Sequence, residues 1–368
     1  MNRVINKSGR GIVVVIVVLA LTIAAAGVGI YMFAGGGGGQ VAEEVIPINP
    51  ITGEELNGQE LPARPIMVSI DNVGAAIPQS HIANADIVYE MPVEGRQTRL
   101  EAIYYGDIPE FFGPVRSARP YIVNQAQEYG AIFVAYGWNY TAKKYLTYYG
   151  YVPYINGMEE PELFYRVSDK PGPHNAYIAY EEIEKKIEEG TDKWREKWEI
   201  KPFSFRDDDW RAERDELKAA AENGETITDD EGNEIVYKEP EKADEITFKY
   251  MSGGCEFSYD AETGEYARFK YGTPYVDKET GEQITVKNVL VQYVHSEVYD
   301  EKGRLKIDLK AGGKAVLFTE GEVIKGTWSR KGMKERTIFR DEDGKKFRLA
   351  VGKSWVQVMD QSCTFTYK

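Results

Sequence analysis

Residues 11–34 (GIVVVIVVLALTIAAAGVGIYMFA) form a charge-free apolar run of 24 residues, the strongest single constraint on how this chain can fold. A helix of that length crosses the roughly 30 Å hydrocarbon core of a bilayer, so the run is expected to be a transmembrane anchor. Arg3, Lys7 and Arg10 precede it with no acidic residue among them, and the first charges beyond it are Glu43 and Glu44. The positive-inside bias then makes residues 1–10 a cytoplasmic basic tail and puts everything after the span outside. A cleavable signal peptide is the competing reading, since Ala24, Ala25 and Ala26 could serve a peptidase. A secretory apolar core has about 7 to 15 residues, whereas this one runs on through Ile30, Tyr31, Met32 and Phe33. The anchor is preferred. No cysteine lies near the segment to carry a diacylglycerol group. Residues 35–63, opening on five glycines, read as a flexible tether and leash. The expected product is a single-pass protein of the cell membrane with an extracellular ectodomain.

The ectodomain has roughly 300 residues, a soft indication of two domains. Its chain carries a net charge of −14, which argues against a nucleic-acid partner because such binding relies on clustered Lys and Arg. His81, His174 and His295 are scattered, and Cys255 and Cys363 are the only cysteines, so no zinc-ligand spacing occurs. No metal site and no cofactor is expected, with an all-oxygen calcium or magnesium site left open. Both cysteines lie beyond the anchor, where a disulfide persists. Cys255–Cys363 is therefore expected to staple the end of the last domain to its beginning.

The predicted fold class is α+β overall: the membrane helix, an α/β-type mixed-sheet domain over residues 64–223, an acidic linker over 224–244, and an all-β domain over 245–368. In the first domain PIMVSI, ADIVYEM, TRLEAIYYG and AIFVAYG read as strands and SARPYIVNQAQEYG as a helix closed by Gly130. In the second, short alternating runs such as ITFKYM, EYARFKY and SWVQVM are separated by turn signals such as ETGE and DEDGK.

Specific strings then become recognisable. RPIMVSIDN, PQSHIANADIVYE, EGRQTRLEAIYY, GPVRSARPY and PHNAY in the first half, and KYGTPYVDKETGEQITVKNVLVQ, GRLKIDL, GTWSR and VGKSWVQV in the second, follow one another from about residue 64 to 358. In this order they resemble the YerB-like lipoproteins of Gram-positive bacteria, a paired-domain family of unknown function. The resemblance implies an envelope protein and no established catalytic residues. The chain departs from the family pattern in three places. An apolar anchor stands where many relatives have a lipid-modified cysteine, His81 stands where glycine is usual, and Arg96 follows Glu94-Gly95 where relatives often have a second glycine.

Polar residues gather where strands end. Asp71 and Asn72 follow PIMVSI, Glu90 lies inside or at the end of the next strand, and Glu94 and Arg99 flank the start of another; Arg116 and Arg119 bracket a helix start, with Ser117 as its expected N-cap. Open α/β sheets bind ligands at strand carboxyl ends, and arginines beside a helix N-terminus suit a carboxylate or phosphate. The same residues could instead form a structural ion-pair network. Asp71, Glu90 and Glu94 could also supply the acid and base of glycan cleavage, which needs two carboxylates about 5 to 10 Å apart. His174 and Asn175, after Pro-Gly-Pro, read as loop-fixing residues with a possible site role. A tyrosine-rich stretch, residues 136–154, could line a glycan or peptide groove through Trp138, Tyr140 and Tyr149. No nucleophile elbow, phosphate loop or metal motif is present. The preferred function is binding or scaffolding of cell-wall glycan or of envelope proteins; the alternative is an envelope enzyme acting on glycan or peptidoglycan.

Overall fold

In the computed structural model, one strand near the C-terminus joins the two halves that the sequence separates. The structure describes residues 2–6, 14–17, 46–228, 234–250 and 253–368, the first two segments as backbone only. Two units emerge, Met1–Ile46 with Arg206–Glu239, and Pro47–Phe205 with Pro240–Lys368.

The larger unit draws β1 (Ile66–Asp71), β2 (Ile87–Val93), β3 (Gln97–Tyr104), α1 (Pro120–Tyr129), β4 (Ile132–Ala135), α2 (Tyr140–Thr147) and β5 (Tyr154–Asn156) from the first half. From the second half come β6 (Glu245–Tyr250), β7 (Gly253–Asp260), β8 (Glu265–Lys270), β9 (Asn288–Tyr293), β10 (Gly313–Thr319), β11 (Glu322–Ser329), β12 (Ser354–Met359) and β13 (Thr364–Tyr367). One sheet runs β11-β10-β9-β12-β2-β3-β1-β4-β5, with short edge strands on β11. β12 is parallel to β9 on one side and to β2 on the other, Gln357 lying opposite Glu90. All six residues of β12 are buried, the pattern of a strand covered on both faces. The segments expected as an α/β domain and an all-β domain therefore share one sheet and one core.

A second sheet, β8-β7-β6-β13 with two short strands on β8, packs over one face of the first. Ile246, Phe248 and Phe257 from it share a core with Val88, Leu100, Val289 and Trp355. The opposite face is covered by α1, whose Tyr121, Ile122, Ala126 and Tyr129 pack with Tyr89, Phe133, Val356 and Val358. α1 ends at Gly130, which is left-handed with φ of 57°; a Cβ there would lie 2.1 Å from the Trp198 ring. Its N-cap is Arg119 rather than Ser117, and Arg119 makes no side-chain capping bond. Pro120 explains this shift, because proline is preferred at the first helical position and holds the residue before it extended.

Cys255 and Cys363 are both free and buried, not bridged. Cys255 sits on β7 opposite Phe248 of β6, while β13, which starts just after Cys363, pairs with the other edge of β6. With β6 between them, the two chains are two strand spacings apart, roughly 10 Å, beyond the roughly 7 Å Cα limit for a disulfide.

The smaller unit holds a four-stranded sheet of Glu234–Ile235, Thr226–Thr228, Asn2–Asn6 and Val14–Val17. Its helix, Asp208–Glu222, is capped by the Asp207 side chain, which accepts from the Trp210 N–H at 2.8 Å. The residues expected as a linker thus contribute strands. Most of the apolar run 11–34 lies outside the described residues. Its part Val14–Val17 is a strand antiparallel to Asn2–Asn6, not the expected helix, in keeping with a wholly β-branched segment. Among the described residues no helix is long and apolar enough to cross a membrane.

Candidate functional site

The pleat of the central sheet divides the strand-end residues between its two faces. Asp71 on β1 is opposite Arg99 on β3, and Ser69 is opposite Glu101, so these four point to one side. Glu90 on β2 is opposite Leu100 of β3, which puts it on the other side. The single concave surface expected from Asp71, Asn72, Glu90, Glu94, Arg99, Arg116 and Arg119 does not form. An inner and an outer group form instead.

The inner group is sealed between the two sheets. Glu90 accepts from Arg268 Nη2 at 2.9 Å, Thr98 Oγ1 at 2.8 Å, Asn72 Nδ2 at 3.0 Å and Gln357 Nε2 at 3.3 Å. Burial works against its charge, but Arg268 and Lys270 prevail and hold the carboxyl below its ordinary range. The Arg268 guanidinium is fully buried, stacked 4.0 Å from the Tyr275 ring centroid and 4.4 Å from that of Trp355. Lys270 Nζ donates to the Asn72 carbonyl at 3.0 Å and to Asn72 Oδ1 at 2.6 Å. Burial brings its pKa down to about 8.

The outer group lies at the C-terminal end of β1 and the start of α1. Asp71 is 2% exposed, and its Oδ2 lies 3.0 Å from Arg116 Nε and 2.7 Å from His174 Nδ1. The Arg116 and His174 side chains keep 25% and 22% of their surface, so each reaches solvent from a buried carboxylate. Arg119 grips Glu94 with two nitrogens, Nε at 2.7 Å from Oε2 and Nη2 on Oε1. Although burial pushes the Glu94 carboxyl up, this fork brings it below its ordinary value. Arg99 Nη1 donates to the Ser117 carbonyl, while its Nε has no acceptor. Burial, and next the charge of Arg119, lower the Arg99 guanidinium to about 10. Glu101 beside it takes one bond from Ser69 Oγ at 3.1 Å, and burial raises its carboxyl far above the usual range. Asn175 fixes the neighbouring loop by donating to the Val167 carbonyl at 3.0 Å and accepting from Arg166 at 2.7 Å.

Sequence reasoning missed Arg268, Lys270 and Glu101. Glu101 lay within TRLEAIYYG, where strict alternation with Arg99 placed both on one face; that was the available signal. Arg268 and Lys270 had none, because both parities of their strand EYARFKY carry an aromatic residue. Of the aromatics expected to line a groove, Trp138 packs edge-on against Tyr154, while Tyr140 and Tyr149 border one open surface depression. Among the described residues no group of three or more His, Cys, Asp or Glu side chains could hold a metal ion. Two cavities adjoin the outer group without including Asp71. One of about 530 Å³ is bordered by Glu94, Arg96, Ser296 and Asp360, and one of about 510 Å³ by Tyr121, Tyr145, Tyr299 and Ile307.

Residues 51–193 match the N-terminal domain, and residues 245–356 the C-terminal domain, of the protein family of unknown function DUF3048. The chain is 32% identical over 311 residues to the candidate lipoprotein YerB of Bacillus subtilis (strain 168), covering 84% of this chain and 85% of that one. The chain belongs to the YerB-like family. The crystal structure of Bacillus subtilis YerB superposes on it with a TM-score of 0.71 at 29% identity, over 87% of this chain and 99% of that one. The matched segments contain every strand-end residue described above. In this YerB-like protein, then, the outer group and the inner ion pair both belong to the family's paired domains, one on each face of a shared sheet.

Proposed function

We propose that this YerB-like chain is a membrane-tethered ectodomain that binds an anionic group of the cell envelope, a phosphate or carboxylate, at the outer group around Arg116. The carrying observation is the way Asp71 presents two side chains. Arg116 Nε and His174 Nδ1 approach one carboxylate oxygen, His174 in a hydrogen bond and Arg116 at ion-pair distance without one, so they lie side by side. The terminal nitrogens of Arg116 have no acceptor among the described residues. A guanidinium oriented by a buried carboxylate and left with open donors is preorganised for a planar anion. Arg99 feels the charges of both Arg119 and Arg116, with Glu94 offsetting Arg119, and the N–H groups at the start of α1 carry partial positive charge.

Catalysis by paired carboxylates has less support. Glu90 is buried against Arg268 on the far face from Asp71, and Glu94 is gripped by Arg119, so Asp71, Glu90 and Glu94 do not flank one open cleft as glycan cleavage requires. The tether is supported by the length and charge-free composition of the run 11–34 and by the lipoprotein description of the relative, and it requires Asn2–Asn6 and Val14–Val17 to leave the sheet they form with Thr226–Thr228. Retention of the full chain on purified cell-wall polymer tests the binding. Arg116→Gln, which also removes a partner of the buried Asp71, should lose retention under conditions where urea unfolding shows it still fully folded, whereas equal retention by the variant would refute the site. Protease treatment of wall-stripped cells tests the tether, and a mature chain starting near Ala26 would count against it.

A further inference from the structure

We infer that α2 docks this ectodomain onto an anionic lipid surface. The inference rests on the tether, not on the anion site.

Thirty consecutive residues, 129–158, contain no Asp or Glu in a chain that has 59, and they hold eight of its 25 tyrosines. The fold turns part of this stretch outward. Tyr140, Tyr148 and Tyr149 are 80%, 77% and 47% exposed, although rings of this size are normally covered. Ala142 and Leu146 are the buried residues of α2, so the tyrosines and Lys143 and Lys144 occupy its outer side. Lys144 Nζ lies 5.7 Å and 5.3 Å from the Tyr148 and Tyr149 ring centroids, and Lys143 Nζ lies 5.3 Å from Trp138. Lysine and tyrosine thus form one mixed surface rather than separate patches.

The shape of that surface selects the occupant. It is a depression of about 470 Å³ lined by Tyr140, Lys143, Lys144, Thr147, Tyr148 and Tyr149, all from α2 and the two residues after it. No second element supplies a wall. Small ligands are held in clefts that enclose most of their surface, which a shallow depression on one helix does not do, whereas a bilayer surface needs only an exposed face. Tyrosine is favoured at the level of lipid headgroups, and lysine stems extend so that their charge meets anionic lipid. Each basic residue near such a surface is worth roughly a five-fold gain in affinity, about thirty-fold for the pair. Tethering raises the effective concentration of the bilayer to the millimolar range, so a contact this weak would still be populated.

The test uses the full chain with Thr147→Cys carrying an environment-sensitive dye; Cys255 and Cys363 are buried, which keeps labelling selective. The chain is reconstituted in vesicles containing spin-labelled lipid. Dye quenching in phosphatidylglycerol vesicles is expected, reduced in pure phosphatidylcholine, in high salt and in the Lys143→Glu/Lys144→Glu variant. A dye at Glu262→Cys, on the turn between β7 and β8, should stay unquenched. Co-flotation without quenching at position 147 overturns the docking and leaves the tether standing. Failure to co-float overturns both. Protection of the dye by added glycerol-phosphate polymer, with no lipid quenching, assigns α2 to a wall polymer and also overturns the inference.

Discussion

Removing both partners of the Glu90–Arg268 pair should cost clearly less stability than the two single removals added together. Arg268→Met leaves Glu90 fully buried with Thr98, Asn72 and Gln357 as donors at 2.8, 3.0 and 3.3 Å, the weakly donating Cys255 thiol at 3.9 Å, and Lys270 as the remaining nearby cation. Breaking a buried ion pair in this way costs about 3–5 kcal/mol. Loss of the guanidinium between Tyr275 and Trp355 adds about 1–2 kcal/mol. Glu90→Gln keeps the volume but leaves Arg268 charged and dry, for a comparable loss of about 3 kcal/mol. In the double variant Glu90→Gln/Arg268→Met neither orphan charge exists, so the total should fall below the sum of the singles by about 2 kcal/mol or more. Urea unfolding followed by tryptophan fluorescence measures all three, with the m-value checked for constancy. Single losses below about 1 kcal/mol, or strict additivity, would refute the view that the inner group is a structural clamp.

Lys270 should make stability pH-dependent. Its folded pKa of about 8 lies below the roughly 10.4 of an unfolded lysine, so between those values the unfolded chain binds more protons. Stability should therefore rise with pH across that window, by about 3 kcal/mol in total. Lys270→Met should flatten the rise, and parallel urea-midpoint curves for the two proteins at pH 7.5, 8.5 and 9.5 would contradict the assignment. Because β2 and β12 pair across the halves, residues 47–205 or 240–368 expressed alone should lack cooperative unfolding, while co-expression should restore it; a sharp transition from either half alone would argue for separate domains. The native protein should react slowly with a thiol reagent, and unfolding without reductant should release two thiols; release of none would restore the disulfide. Arg119→Ala should destabilise by about 1–3 kcal/mol through the freed Glu94, and a neutral effect would mean the fork is solvated.

Strand positions in the first half were legible because PIMVSI, ADIVYEM and AIFVAYG are long apolar runs bounded by turn signals. Gly130 marked the end of α1 for the same local reason, whereas its start was expected at Ser117, two residues before the Arg119 cap that Pro120 sets. Which side of the sheet each polar residue faces was not legible. Asp71 and Glu90 both stand near strand ends, and only the register of β1 and β2 against β3 shows that they point apart. In EYARFKY both parities carry an aromatic residue, so alternation alone allows Ala267, Phe269 and Tyr271 to face inward. The structure buries Tyr266, Arg268 and Lys270 instead, because Glu90 on the facing sheet gives the arginine a partner. SWVQVM read correctly as a strand, but its parallel pairing with residues more than 250 positions earlier is a long-range contact that local pattern does not encode. The disulfide failed for a related reason: two cysteines near the ends of one sheet are separated by the strand that pairs with both.

The account turns on the outer group being an open anion receptor rather than a second clamp. The protein has three histidines, 81, 174 and 295, so selectively labelled imidazoles give a spectrum with few signals. Inorganic phosphate titrated into the detergent-solubilised full chain should move the His174 resonances in a saturable way and leave His295, which is exposed, in place. Arg116→Gln should abolish that response while the His174 signal stays dispersed as in the parent. Equal, unsaturable shifts at all three histidines, or a His174 response that survives in Arg116→Gln, would contradict the claim.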